Sequence, residues 1–517
     1  MTSSPERPAL PGRRRALVNV AANYGSFLVS AVVGFFLSPF VVHSLGNDAY
    51  GAWVLLGSLV GYLGLLDLGV RGAVTRYVAN HHAAARHDEA GRLVSAALFL
   101  FGLSGLGAVM LTAGFATWGL HLFSLPPELE AVAARVVVIG GLNLAVSLVS
   151  GVFGGTVVGV HRFEVVNGVN VGVTLVRSGA IVVGLLAGGG LVTLAGIQLA
   201  ASLVSGGALA FASRRVYPEM RIGLGRWRRE HLRTLVSFGA FASLLQIASL
   251  VMYHTDTVMI GALLPVSAVT FFAIALNLID YARRLVSGIS QTMTPMVGAL
   301  EGAERAERVG ATLLTGARLA TLVLLPVLVT FVVRGETFIG LWMGEEYARP
   351  SGLVLTVLAL ARWPAAGYQV CTSTLMGLNQ HRGLVPAVIV EALANLGLSL
   401  ALIGPFGITG VALGTLVPRW LISLAFGPWY VRRTIGLAPG RYYLDVLLRP
   451  GLALVPFALA SLAFERWIPP DGLVAFFGQV ALALPLAAAG AWPLALQAEE
   501  RRRIVAAVRS ALSRPAR

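Results

Sequence analysis

The chain has 517 residues, of which 56% are hydrophobic and 12% charged, and its mean hydropathy is +0.78. That composition excludes an ordinary soluble domain, and apolar stretches near 20 residues are too long and unbroken for the alternating strands of an outer-membrane barrel. The single cysteine, Cys371, excludes an intrachain disulfide and a cysteine metal cluster, and the formal charge of +15 is carried by arginine alone, 39 residues without one lysine.

The first residues, Met1 to Arg15, form a basic tail ahead of an apolar run. The run is too long for a cleavable signal peptide and lacks a clear small-residue cleavage site, so a retained first span is expected. About 14 spans follow from the apolar windows: 16–43, 50–71, 93–117, 131–159, 166–188, 191–213, 235–262, 266–298, 311–334, 350–378, 383–403, 407–431, 449–467 and 473–497. The expected fold class is an all-α polytopic membrane protein. Gly188–Gly190 and similar glycine runs fall at span ends and read as turns.

Arginine sets the expected orientation. With the N-terminus inside, 29 arginines fall on one side, about 4 on the other (Arg135, Arg334, Arg349, Arg466) and 6 within spans. By the positive-inside rule both termini are cytoplasmic, in a bacterial inner membrane. The basic balance therefore calls for no nucleic acid; it is a topology signal with an added attraction to anionic membrane lipid. The segment 214–234 is the most basic turn and divides the chain. Six spans (16–213) precede it and six (235–431) follow, then an appended pair (432–497) and a basic amphipathic tail (498–517). Six plus six suggests a parallel internal repeat, although residues 44–82 and 263–302 share pattern rather than identity.

Polar residues fall on stripes within several spans. Asn19 and Asn23 share a face of the first span, Asn167, Asn170, Thr174 and Arg177 of the fifth, and Gln246, Ser249, Tyr253 and Asp256 of the seventh. Stripes of Ser, Thr and Asn alone are explained by helix–helix hydrogen bonds. The eighth span is different. Asn277, Asp280, Arg284, Ser287, Gln291 and Thr294 lie within an arc of about 100°, and Arg283 and Arg284 sit near its middle. A charge at mid-bilayer costs roughly 2.5–3.5 kcal/mol on insertion scales. Such residues are kept where they face water, a partner or a substrate. Six arginines lie inside spans (Arg177, Arg283, Arg284, Arg318, Arg362, Arg419) against the acids Asp256, Asp280 and Glu391. Asp280 can pair with Arg283 or Arg284, and Glu391 with Arg362 or Arg419. The surplus of positive charge predicts a water-filled cationic cavity that attracts anions, and arginine suits a pyrophosphate. Arg318 and Arg419 could instead snorkel or pair. Asp256, Asp280 and Glu391 could each carry a coupling H⁺ or Na⁺, or each neutralise an arginine. His254 reads as a packed polar residue. No Walker motif, metal-ligand spacing or Ser/His/Asp arrangement stands out, so neither an enzyme nor a metal or other cofactor is expected.

Residues 43–92, HSLGNDAYGAWVLLGSLVGYLGLLDLGVRGAVTRYVANHHAAARHDEAGR, carry a resemblance. Their order, with HRFEVVNGVN (161–170), DTVMIGALLPVSAVTFFAIALNL (256–278), QTMTPMV (291–297) and FIGLWMGEEY (338–347), resembles the Wzx-type oligosaccharide flippases of the MATE-like (MOP) superfamily. The resemblance covers most of residues 15–435. It implies two six-helix lobes that alternate access, and as cargo an oligosaccharide on an undecaprenyl-pyrophosphate carrier. A polysaccharide polymerase and glycosyltransferases are the implied partners. Related lipid II flippases hold pyrophosphate with lumen arginines; by position Arg283 and Arg284 match that role, with Arg177 a further candidate and Arg71 a weaker match. The cavity is expected to be lined by Asn19, Asn23, Asn277, Gln246, Tyr253 and Gln291. The first span lacks the basic residues that lipid II flippases carry, which argues against lipid II as cargo. A MATE-type multidrug exporter and a non-transport scaffold of a polysaccharide-synthesis complex are the rival expectations.

Overall fold

The computed structural model describes residues 13–223, 225–298, 300, 305–498, 500–502 and 506; at 13–24, 238–251, 295, 305–306 and 381 only the backbone is described. Among the described residues the chain is all helix and turn, without a strand. Among the described residues, eleven helical runs are long and apolar enough to cross a membrane. The chain forms two compact units, Met1–Thr270 and Phe271–Arg517.

The first unit holds α1 (Arg13–Leu45), α2 (Asn47–Tyr62), α3 (Val70–Ala83), α4 (His87–Trp118), α5 (Pro127–Gly159), α6 (Phe163–Leu186), α7 (Leu191–Val216) and α8 (Arg229–Leu263). Their starts follow ordinary end chemistry: α5 opens on Pro127 with Glu128 and Glu130 in its first turn, where a missing N–H costs nothing and negative charge suits the helix dipole. The expected second span is not one helix. A 3-10 turn, Leu63–Asp67, ends with Leu68 (φ 49°) and Gly69 (φ 69°) in the left-handed region, and α3 begins at Val70. Two successive residues in that region break the hydrogen-bond ladder, and the second is a glycine because a side chain there is strained. Two apolar clusters hold the unit. One packs Val74, Val78, Val94, Phe101 and Val152 with Tyr217 and Leu235; the other packs Leu55, Leu56, Val136 and Leu191 with Val266. Gly51 admits the Val266 carbonyl, since a Cβ there would stand 2.1 Å from its oxygen.

The second unit holds α9 (Ser267–Gly298, whose first residues complete the first unit), α10 (Arg305–Met343), α11 (Glu345–Gly377), α12 (Leu384–Trp420), α13 (Gly427–Ile435), α14 (Pro439–Tyr442), α15 (Arg449–Ala453), α16 (Val455–Trp467) and α17 (Leu473–Leu494). Single π-helical stretches, Leu421–Phe426 and Tyr443–Leu448, join α12 to α13 and α14 to α15. The run from 384 to 435 doubles back at Gly407 (φ 56°, ψ −137°), so the two expected spans meet at one left-handed glycine. Side chains on its two arms then face each other: Asn395 donates to the Thr415 hydroxyl (2.9 Å) and Ser399 to the Val411 carbonyl (3.3 Å). Helices α16 and α17 pack on α10 through Leu325, Leu454, Phe457, Ala483 and Ala487. Helix α10 itself departs from helical geometry at Arg334 (φ −129°, ψ 16°).

Candidate functional site

The charged residues of the eighth expected span lie on α9. Its apolar face, with Phe272, Ala275, Leu278, Ile279, Ala282 and Val286, is buried. On the other side Asn277 and Asp280 are half-buried, and Arg284 and Gln291 are exposed. Arg283 Nε donates to Asp280 Oδ1 at 3.2 Å, the i,i+3 pairing expected. Arg284 has no carboxylate partner among the described residues; its carbonyl accepts from the Ser287 hydroxyl at 2.7 Å. Thr294 donates to the Ser373 carbonyl of α11 at 3.0 Å. The stripe is thus a mixed face, exposed at Arg284 and Gln291 and tied to a neighbour at Thr294.

Two further helices of the same unit bring charge to Arg283. Arg419 Nε lies 2.9 Å from Glu391 Oε1, with Glu391 buried and Arg419 a quarter exposed. That pair is the next rung of the ladder across the α12 bend, four residues beyond Asn395–Thr415 on each arm. The Gly407 turn sets this register. Arg362, on α11, is half-buried and lies in the electrostatic field of Arg419, Arg283, Asp280 and Glu391. It makes no ion pair with any described residue. Three arginines on three helices therefore share the electrostatic surroundings of two carboxylates, of which Asp280 pairs with Arg283 and Glu391 with Arg419. An anion is what such a cluster lacks. The π-helical stretch that follows at 421–426 widens the turn after Arg419, a distortion frequent at functional sites.

The remaining sequence candidates belong to the first unit. Arg71 is exposed; its guanidinium lies 3.4 Å from Asp67 and donates to the Ser147 carbonyl, over Gly151. It thereby closes the 63–69 turn. Arg177, on α6, donates to Gln198 of α7 at 3.1 Å, and its buried Nε makes no hydrogen bond. Arg71 and Arg177 are held on different helices by different partners. Tyr253 is exposed, with its ring edge-on to His254. Asp256 is buried, and the neighbouring Thr255 hydroxyl bonds the Tyr62 hydroxyl at 2.6 Å. The side chains of Asn19, Asn23 and Gln246 lie outside what the structure describes. Among the described residues no three His, Cys, Asp or Glu side chains are placed to hold a metal.

Two arginines have roles that the spacing did not reveal. Arg318 is fully buried and pairs with Glu500 of the C-terminal tail. Arg334, expected at the outer end of the ninth span, is buried in α10. It donates to Glu465 Oε2 (2.9 Å) and Gln479 Oε1 (2.6 Å) and stands over the Phe476 ring at 4.6 Å. Both attach the C-terminal helices to α10. No local pattern predicts partners 131 and 182 residues away.

The family model for polysaccharide biosynthesis proteins matches residues 93–351. The chain belongs to that family. Its relatives include the uncharacterized membrane protein EpsK of Bacillus subtilis, 23% identical over 77% of this chain and 79% of the relative. Another is a putative O-antigen transporter of Shigella flexneri, 20% identical over 74% of this chain and 91% of the relative. Among solved structures, the lipid II flippase MurJ in an inward closed conformation superposes with a TM-score of 0.70 at 13% identity, covering 92% of this chain and 98% of MurJ. A multidrug resistance MATE transporter of the MOP superfamily superposes at 0.66 and 15% identity, over 80% of this chain and 94% of the transporter. The chain thus has the fold of these MOP transporters, as the resemblance implied, and is a multi-pass membrane protein of the polysaccharide biosynthesis family.

Proposed function

We propose that this family member is a flippase for an undecaprenyl-pyrophosphate-linked oligosaccharide, an O-antigen or exopolysaccharide repeat unit carried from the inner to the outer leaflet of the bacterial inner membrane. The observation that carries the reading is the second unit's excess of arginine: Arg283, Arg362 and Arg419 around Asp280 and Glu391, with Arg284 exposed on the next position of α9. In the mechanism, Arg284 and Arg362 receive the pyrophosphate, because neither has a carboxylate partner among the described residues. Arg283 turns from Asp280 toward the ligand and gives a bidentate contact. The polyprenyl chain stays in lipid. The relatives' printed roles, an O-antigen transporter and a lipid II flippase, support a lipid-linked glycan as cargo. A cation exporter would present the opposite charge balance.

Return of the carrier is assigned to H⁺ or Na⁺ exchange. Asp280 is freed when Arg283 engages the ligand, and Asp256 is buried; both are coupling candidates. Glu391 is the weaker one, since its place in the α12 ladder gives it a structural partner. Polymerase and glycosyltransferases act on the product and supply the substrate.

Binding of a soluble undecaprenyl-pyrophosphate sugar analogue to the protein in lipid, wild type against R283A/R284A, tests the site. Loss in the variant is expected. Equal binding in both overturns the assignment. In cells, Arg284→Ala should abolish polymer at unchanged protein level.

A further inference from the structure

The segment between α7 and α8 is a folded element rather than a tether. Tyr217 is buried, its hydroxyl 2.9 Å from His87 Nδ1 and its ring edge-on to His82 at 4.7 Å. Beyond it the chain runs along α4, over three residues four apart. The Arg221 carbonyl lies over Gly91, where a Cβ would stand 2.2 Å from its oxygen. The Gly223 N–H donates to the Ser95 hydroxyl at 3.1 Å. The Trp227 ring stacks on Phe99 at 4.5 Å and 22°. Positions 91, 95 and 99 span about 12 Å of helix, so the segment follows α4 for about two turns. Arg226 is tied to Asp88 (3.3 Å) and His231 to Glu89 (3.0 Å). Met220, Ile222 and Trp227 join the apolar cluster of the unit.

A turn that only biased topology would need charge, not this packing. What the packing does is fix in place the arginines it does not use. Arg214, Arg215, Arg221, Arg228, Arg229 and Arg233 are exposed, against Glu219 and Glu230. They lie at the ends of two helices, beside a tryptophan of the kind that sits at headgroup level. Guanidinium groups bind phosphate bidentately. We infer that the 214–233 segment is a binding surface for anionic phospholipid headgroups, built by docking residues 217–228 onto the Gly91–Ser95–Phe99 stripe of α4. The occupant is the bilayer's own anionic lipid. The surface belongs to the first unit and is independent of Arg283, Arg284 and Arg362.

The test uses the purified full chain in neutral detergent and native mass spectrometry with short-chain phosphatidylglycerol or phosphatidylcholine as probe. Wild type should retain phosphatidylglycerol roughly tenfold more tightly at low salt, and the preference should shrink as salt rises. R221Q/R228Q/R229Q should bind the two lipids within about twofold of each other. Trp227→Ala keeps every charge and should still lose most of the preference, because the array is no longer held. Arg466→Gln, exposed on α16 and outside both basic segments, should leave it unchanged. A wild type without preference, a triple variant with full preference, or a folded Trp227→Ala protein that binds like wild type each overturns the inference. If the triple variant does not fold, Arg228→Gln alone must lower the preference severalfold, and an unchanged value overturns it equally.

Discussion

Arg362 and Arg419 stand in the same cluster but in opposite circumstances, and exchanging each for glutamine separates ligand binding from stability. Arg419 neutralises Glu391, which is buried to 3% exposure, across 2.9 Å. Removing one partner of a buried pair leaves an uncompensated charge and costs about 3–5 kcal/mol. Arg419 is about a quarter exposed, so water tempers the loss and the lower end, about 3 kcal/mol, applies. Arg362 pairs with no carboxylate among the described residues. Its removal takes a cation from the field of two others, so stability should hold or rise. For an anionic ligand the order reverses. A hydrogen bond to a charged group is worth about 1.5–3 kcal/mol, so Arg362→Gln should weaken the pyrophosphate analogue by roughly 10- to 150-fold. Arg419→Gln should weaken it less, since Glu391 already occupies that guanidinium. Thermal melts and Kd values on the two purified variants decide the matter. If Arg362→Gln melts lower than Arg419→Gln and binds the analogue like wild type, the roles assigned here are reversed and the argument fails.

Three further outcomes follow from the second unit. Glu465→Ala strips the buried Arg334 of its carboxylate and should cost about 3 kcal/mol, whereas Arg334→Met/Glu465→Ala should melt closer to wild type than the single variant; strict additivity would contradict a direct pair. Glu500→Gln leaves the fully buried Arg318 without its anion and should expose the C-terminal tail to limited proteolysis, with Arg318→Leu/Glu500→Gln melting higher than Glu500→Gln alone. Gly490→Ala puts a Cβ 1.9 Å from the Ala453 carbonyl oxygen; the shift between α15 and α17 should cost about 1–3 kcal/mol, read as a lower melting temperature, and a wild-type melt would mean that the helices give way freely.

How much of this was legible depends on the distance over which each interaction acts. The Asp280–Arg283 pair follows from helical spacing alone, and the apolar windows locate the helices because a 20-residue apolar run has one low-energy conformation in lipid. Glu391 offered two arginines, and local spacing could not choose between them. The choice is made by Gly407, whose left-handed turn folds α12 on itself and aligns 391 with 419 as it aligns 395 with 415. That alignment has a functional consequence. It commits Arg419 to the fold and leaves Arg362 as the uncommitted cation, although in sequence both are single arginines in apolar runs. Arg334 was misplaced for a similar reason. The expected span ended at 334, but α10 continues to Met343 with its irregular residue at Arg334 itself, and Glu465 and Gln479 take up the charge. The same holds at Leu68, a residue with no intrinsic preference for the left-handed region, where the break in the second span depends on Arg71 closing the turn through Asp67 and Ser147. In each case composition marks a charge as expensive, and only the tertiary partner says whether the chain has already satisfied it. Among the described residues, Arg284 and Arg362 are the span arginines of the second unit without a carboxylate partner, and on the proposed reading a ligand supplies the anion.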